Sequence, residues 1–324
     1  MEGILRRRGW VPHVLAYHGY GAPGWVRVMG RVLLSRPEAR RSHEREDREG
    51  AVRGWRSFTT APVPEAVVDV TIGDRTTQVR TDRGGYVDTV VECDLPPGRH
   101  EITMGVEGSE PVSAPVVVVG PEQTRGLVSD IDDTVMVTSL PRPLIAAWNT
   151  FVLHEQARHV VPGMAPLYRE IVVRHPDTPV FYLSTGAFNV APTLARFLER
   201  HGYPPGPMLL TDWGPTNTGW FRSGREHKHA ALRRLARELP QVQWLLVGDD
   251  GQHDPEIYAE FAREAPDRVR GIAIRQLTVG EQVLAHGTPG PLPDDHGPED
   301  SPVPQVRAPD GTALGEGLHE LGLL

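Results

Sequence analysis

Beyond Gly120-Pro121, five short apolar runs, GLVSDID, PVFYLST, PMLLTDW, WLLVGDD and VRGIAIR, alternate with stretches of helical pattern around residues 143–157, 163–174, 189–201, 225–239 and 254–265. Few folds accept that rhythm. A continuous apolar run reads as a strand covered on both faces, and strands separated by helices run parallel. The expectation is therefore an α/β, doubly wound parallel-sheet domain with helices on both faces. Such sheets bind ligands outside the carboxyl ends of their strands. Four of the runs end in polar residues there: Asp130 with Asp132, Ser184, Asp212, and Asp249 with Asp250.

Upstream the rhythm differs. EAVVDVTIGD, TTQVRTDRGG, YVDTVVECDLPPG, RHEITMGVEG and APVVVVG are short, Val-rich and separated by turn residues, which predicts a small β-sandwich over residues 23–120, opened by the strand WVRVMGRVLL. The charged stretch RPEARRSHEREDREGAVRGW reads as a solvated loop or short helix, and residues 1–22 as a leader. Past residue 285 the chain is rich in Pro, Gly and Asp and poor in apolar residues, which predicts a disordered tail over 285–324. The parallel-sheet domain is expected over residues 124–280.

The formal net charge of −8 gives no global attraction to nucleic acid or anionic lipid, and none is expected as a nucleic-acid partner. Cys93 is the only cysteine, so no internal disulfide forms, in keeping with a reducing compartment. The N-terminus lacks the apolar core and cleavage site of a secretory signal, and no run approaches the roughly 20 apolar residues that span a bilayer. A soluble, cytoplasmic protein is expected, with any membrane contact peripheral.

Several motifs can be set aside. GYGAPG at residues 19–24 is followed by a strand-like run, whereas a dinucleotide fingerprint opens a helix; it reads as a Gly-rich turn. HEQARH at 154–159 spaces its histidines five apart, off the shared helix face a zinc site needs. His227 and His229 have no Cys or His cluster at zinc spacing. An EF-hand reading of DIDDT fails at its sixth position, Val135, and its twelfth, Pro141.

What remains is GLVSDIDDTV, with Asp130, Asp132 and Asp133 crowded at the end of an apolar strand. Like charges this close cannot all stay ionised without a counter-charge. One composition detail bears on this: of the 34 basic residues, 33 are arginine and one is Lys228. A lone lysine among arginines suggests a site where a compact ammonium fits and a guanidinium fork does not.

The strand ending in D-x-D-x-T resembles the first motif of the haloacid-dehalogenase superfamily. Three further motifs follow in order: Ser184 in FYLST, Lys228 in EHKHAALRRL, and Asp249, Asp250 and Asp254 in LLVGDDGQHD. Within that superfamily SDIDDT, FYLSTGAFN, the DWG of LLTDWG, HKHAAL and VGDDGQHDPEIYAEFA resemble the magnesium-dependent phosphatidate phosphatase family of the actin-patch type, whose β-rich segment also precedes the catalytic domain. The second motif, commonly Ser-Asn-Ser, reads Ser-Thr-Gly here.

The resemblance implies hydrolysis of a phosphate monoester on a lipid or small molecule, with phosphatidate the leading substrate. Soluble metabolites, phosphoproteins, or an inactive binding module are the alternatives. It implies Asp130 as nucleophile, Asp132 as general acid and base, and Lys228 as the charge-balancing catalytic cation. Ser184, Thr185, Gly186 and their backbone N–H groups would hold phosphate, and Thr134 would brace the nucleophile loop. Magnesium would be held by Asp130, Asp249, the backbone carbonyl of Asp132, and Asp254 or Asp250. Between the first two motifs, Leu144, Ile145, Trp148, Phe151 and Val152 form an apolar stripe at helical spacing, read first as core and second as a lid. Trp213, Trp220 and Phe221 mark a long loop able to line a substrate entrance.

Overall fold

The computed structural model describes residues 2–36, 60–137, 159–211, 224–251, 253–278, 280–282 and 301–324. The helical stretch 143–157 with its apolar stripe, the aromatic loop around Trp213, Trp220 and Phe221, and Asp212 lie outside these residues. The chain divides into two compact units, Met1–Gly120 and Pro121–Leu324.

In the first unit, helix α1 (Glu2–Arg7) precedes nine strands: β1 (Val11–Ala16), β2 (Gly19–Ala22), β3 (Gly24–Ser35), β4 (Ala61–Pro62), β5 (Val67–Ile72), β6 (Arg75–Arg80), β7 (Tyr86–Cys93), β8 (Gly98–Val106) and β9 (Val112–Val118). All nine join one hydrogen-bonded sheet of order β1-β3-β2-β9-β8-β5-β6, with β4 and β7 also paired to β3. The twelve-residue β3 makes this possible, since β7 pairs along residues 24–31 while β1 and β2 pair with its two ends. Alternate residues of β5, β8 and β9 point inward, and Val26, Val28, Val70, Val91, Met104 and Val116 from across the sheet share one core. The sheet therefore curls over its own apolar face. The two halves are not separate sheets by hydrogen bonding.

The expected leader over residues 1–22 is corrected in its second half: Val11–Ala16 and Gly19–Ala22 are strands of this sheet. Val11–Ala16 alternates buried and half-buried positions, which β3 completes by antiparallel pairing. GYGAPG is the tight β2–β3 hairpin: a Cβ on Gly21 would lie 2.2 Å from the carbonyl oxygen of Trp25, and Gly24 has φ +101°.

The second unit holds a six-stranded sheet of order β14-β13-β10-β15-β16-β17: β10 (Arg125–Asp130), β13 (Val180–Ala187), β14 (Met208–Thr211), β15 (Gln243–Asp249), β16 (Val269–Arg275) and β17 (Gln305–Ala308). Every pairing in it is parallel. A two-stranded antiparallel pair, β11 (Met136–Val137) with β12 (His159–Val160), brackets residues 138–158. The helices are α2 (Met164–Arg174), α3 (Ala191–Arg200), α4 (Gly224–Glu238), α5 (Asp254–Glu264) and α6 (Gly311–Glu320).

The chain enters at central β10, winds outward through β13 and β14, then returns to β15 and winds the other way. With right-handed crossovers, that reversal sends α2 and α3 to one face and α4 and α5 to the other. It also makes the carboxyl end of β10 the switch point, where ligands bind such sheets.

Part of the expected disordered tail is also corrected. Residues 301–324 are built into the unit: β17 extends the sheet beside β16, and α6 packs on α2, β16 and β17. The Pro- and Gly-rich composition hid a short amphipathic element. Asp310 caps α6 through the backbone N–H groups of Thr312 and Ala313, and Leu314 and Leu318 are fully buried. Pro and Gly here set turns and close approaches. A Cβ on Gly311 would sit 2.3 Å from the backbone of Gly163, so these two chain segments touch through glycine.

Candidate active site

β10 is buried along nearly its whole length and delivers Asp130 to the carboxyl edge of the sheet, with Ser184 on β13 to one side and Asp249 on β15 to the other. Asp130 and Asp249 are 1% and 0% exposed. β10 and β15 are largely apolar ahead of their terminal Asp130 and Asp249, so folding these runs into one parallel sheet brings the two acids to the same edge.

Lys228 reaches this edge from α4. On the neighbouring face of that helix, about a quarter-turn from Lys228, Arg225, His229 and Arg233 recur at i, i+4 spacing and meet Glu260 and Glu264 of α5, with Arg225–Glu260 at 2.7 Å and Arg233–Glu264 at 2.8 Å. Exposed pairs of this kind add little stability, but they set the register of one helix on the other. That register points Lys228 inward. Its Nζ donates to Asp130 Oδ1 at 2.6 Å and to Asp254 Oδ1 at 2.5 Å, all three side chains being buried.

Asp254 opens α5, with Pro255 following where a missing N–H costs nothing. Gly248 gives it room: a Cβ there would lie 2.4 Å from Asp254 Oδ2. Asp249 accepts from the N–H of Gly251 at 2.7 Å and from the Thr134 hydroxyl at 3.4 Å.

The electrostatics follow from burial. Desolvation, then the neighbouring acids, push the Asp130 and Asp249 carboxyls well above the usual carboxylate range. Burial opposes the charge on Lys228, but Asp130 and Asp254 outweigh it and raise its pKa, holding the ammonium protonated. One ammonium does not balance three carboxylates. One oxygen from each of Asp130, Asp249 and Asp254 lies within 4.8 Å of the others, and Asp130 Oδ2 and Asp254 Oδ2 are buried without a hydrogen-bond partner. Hard oxygen donors, an excess of negative charge and two orphaned buried oxygens fit a divalent cation.

Two acids of the expected site direct their carboxylates away from this trio. Asp250 follows Asp249 just past the end of β15. Its carboxylate accepts from the N–H of Leu277 at 2.8 Å and its own N–H donates to the carbonyl of Arg275, closing β15 onto β16. The Asp132 side chain turns toward β13, where its Oδ2 accepts from the Ser184 hydroxyl at 2.9 Å. Ser184 Oγ in turn accepts from the N–H of Gly186 at 2.9 Å. The β13–β14 register shifts between Leu183 and Ala187, and the Thr211 hydroxyl donates to the carbonyls of Thr185 and Gly186, so the Ser-Thr-Gly segment is an irregular, braced turn.

Sequence reasoning missed two groups. Tyr168 on α2 donates to Ser129 Oγ at 2.6 Å, and Ser129 donates to the carbonyl of Asp130 at 2.6 Å, so a buried hydroxyl pair backs the strand end. A serine inside the apolar run GLVSD was the available signal. Arg275, 4% exposed at the end of β16, is the second.

A parallel α/β sheet with buried acids and a lone lysine at its switch point agrees with the motif order read from the sequence. Residues 125–276 match the family model described as "Phosphatidate phosphatase APP1, catalytic domain". The resemblance to that family extends over this segment. The chain is 27% identical over 262 residues to phosphatidate phosphatase APP1 of Saccharomyces cerevisiae, covering 75% of this chain and 43% of that protein. It is also 27% identical over 152 residues to an uncharacterized protein of Schizosaccharomyces pombe, covering 47% of this chain and 25% of that one. The chain thus spans less than half the length of these curated relatives. Among solved structures, the HAD domain of the Legionella pneumophila effector Lem4 aligns with 15% identity and a TM-score of 0.32, over 48% of this chain and 88% of that one.

Proposed function

We propose that the chain is a phosphoric monoester hydrolase that needs magnesium and acts on phosphatidate, releasing diacylglycerol. The observation that carries this is the buried convergence of Asp130, Asp249, Asp254 and Lys228 at the switch point, within the segment that matches the phosphatidate phosphatase family.

Magnesium would be held by Asp130, Asp249, Asp254 and the backbone carbonyl of Asp132, and when bound it supplies positive charge that offsets the phosphate dianion. Asp130 attacks phosphorus, the ester P–O bond breaks, and the leaving alkoxide takes a proton from Asp132. Asp132 then takes a proton from water as that water attacks the aspartyl-phosphate, freeing Asp130 and inorganic phosphate. Lys228 fixes the rotation of Asp130 through Oδ1 and balances charge shared with the phosphate. The Ser184 hydroxyl, which here binds Asp132, exchanges that partner for a phosphate oxygen, with the N–H groups of Thr185 and Gly186 beside it. Thr134 braces Asp249.

No helix among the described residues is long and apolar enough to cross a membrane. We propose that a lipid substrate is reached by peripheral contact. We keep the first unit as a sandwich-like accessory domain, its sheet halves facing each other across one core.

The test is a comparison of kcat/KM for micellar phosphatidate and for soluble sugar and nucleotide monophosphates, with and without magnesium. Phosphatidate is expected to be preferred and turnover to vanish with chelator. A soluble monoester ahead by about tenfold, about 1.4 kcal/mol of transition-state stabilisation, overturns the lipid assignment alone. Absence of turnover on every monoester overturns the enzyme.

A further inference from the structure

Arg275 spends its whole guanidinium inside the molecule. Nη1 donates to the backbone carbonyl of Asp133 at 2.7 Å, Nη2 to Glu281 Oε1 at 2.7 Å, and Nε to the carbonyl of Pro309 at 3.2 Å. Asp133 belongs to the acidic loop, Glu281 to the segment after β16, and Pro309 to the turn between β17 and α6.

The acceptor in the acidic loop is the informative one. Asp133 has φ +55°, in the left-handed region that few non-glycine residues enter and that aspartate tolerates better than most. Around it the chain folds tightly: the N–H of Asp133 donates to Met136 O at 2.8 Å, and those of Val135 and Met136 to Ile131 O at 2.9 and 3.2 Å. This turn decides where Asp132 points relative to Asp130. Its carbonyl faces a buried guanidinium, and removing that donor would leave the carbonyl without this partner inside the protein. A lysine carries the same charge but not three N–H directions in a rigid fork.

Pro309 and Glu281 lie beyond residues 125–276, the segment that matches the family model. The same C-terminal piece packs on α2, and Gly311 N donates to Pro162 O in the turn before it at 2.9 Å; α2 carries Tyr168, which backs Asp130 through Ser129.

We propose that Arg275 is a positioning residue: it locks the left-handed turn at Asp133, and through Pro309 it makes the C-terminal β17–α6 segment part of what aims Asp130 and Asp132. The kinetic consequence rests on reading those two acids as the reacting pair; the geometric claim does not.

The experiment uses the full chain with Arg275→Lys, and Leu198→Ala, a core truncation on α3, as the control for general loss of stability. Amide hydrogen exchange is followed for Asp133, Val135 and Met136. Turnover of p-nitrophenyl phosphate is measured with magnesium. Arg275→Lys should speed exchange at those three amides by about tenfold or more relative to the control. It should also lower kcat by about tenfold with KM within about twofold, a split the control does not show. Exchange in residues 131–136 no faster than in Leu198→Ala, or a kcat loss no larger than that control's, overturns the proposal. A wild-type protein without turnover counts against the proposed function, and exchange alone then decides the positioning role. Should Arg275→Lys not fold, Glu281→Gln, which weakens one arm of the fork, is read by the same exchange, with acceleration at the same amides expected and unchanged rates overturning the claim.

Discussion

The two units bury very different things. In residues 1–120 the described buried polar side chains are Ser35 and Thr81, and both have partners: Thr81 donates to Val63 O and accepts from Ala66 N, and Ser35 meets His13. In residues 121–324 the buried set includes Asp130, Asp132, Asp133, Lys228, Asp249, Asp254 and Arg275. Burying a Val or Met side chain stabilises by roughly 1.5–3 kcal/mol, whereas a buried ion pair is often no better than a well-packed apolar pair. The first unit is therefore built for stability. The second carries a concentration of buried charge that stability does not explain, and this is the physical mark of a site.

The sharpest way to break this contrast is Asp130→Asn. Turnover should fall by about 10⁴-fold or more while melting temperature without metal stays level or rises, because a desolvated carboxyl has been neutralised. Asp132→Asn should fall by about 10²–10⁴-fold, the usual weight of general acid–base catalysis. A folded Asp130→Asn protein turning over at near-normal rate removes the nucleophile assignment.

Next in size is Lys228. Lys228→Ala leaves two buried carboxylates without their cation and should cost about 3–5 kcal/mol of stability, read by denaturant titration. Lys228→Arg should lose nearly as much activity as the alanine variant, about 10²–10³-fold, since the fork does not fit between two oxygens held by a point charge. Retention of most activity by Lys228→Arg would mean the lone lysine is an accident of composition.

The first unit supplies the counterpart. Met104→Ala, at a fully buried core position, should cost about 2–5 kcal/mol and leave kcat of the folded protein unchanged. A tenfold change in kcat there would erase the division of labour between the units.

The smallest effect is pH-dependent. Burial alone would raise the Glu281 carboxyl, but hydrogen bonds from Arg275 and Thr278 outweigh it and hold its pKa below the ordinary 4.5. A lowered folded-state value means the stabilisation is present above that ordinary value and is lost as pH falls through the folded one. Glu281→Gln should therefore be less stable than wild type near neutrality by about 1 kcal/mol, with the gap closing at acid pH. A gap constant from pH 7 to acid would assign the loss to packing instead of charge.

Much of the second unit was legible because its code is local. Each apolar run between helical stretches became a strand, and the observed helices begin and end within two residues of the expected spans at 163–174, 189–201, 225–239 and 254–265. Lys228 stood out by composition, and Asp130 and Asp249 by ending apolar runs. Asp250 did not separate from Asp249 in sequence, because the bend that turns it toward Leu277 and Arg275 is set by residues after β16, distant in the chain. The C-terminal segment read as disordered because β17 and α6 are short and bury their apolar residues against β16, α2 and each other. The leader failed for a similar reason: β1 finds its partner in β3.

The sequence by itself determined the parallel-sheet rhythm, the order of four motifs and the residue types able to attack, donate protons and balance charge, since these depend on neighbours along the chain. Only the tertiary structure decided which acids share a space, that Asp132 meets Ser184 while Asp130 and Asp254 divide Lys228, and that Arg275 ties a C-terminal turn to the acidic loop. Those are distances between segments up to 142 residues apart, fixed by sheet order and helix register, and no local pattern records them.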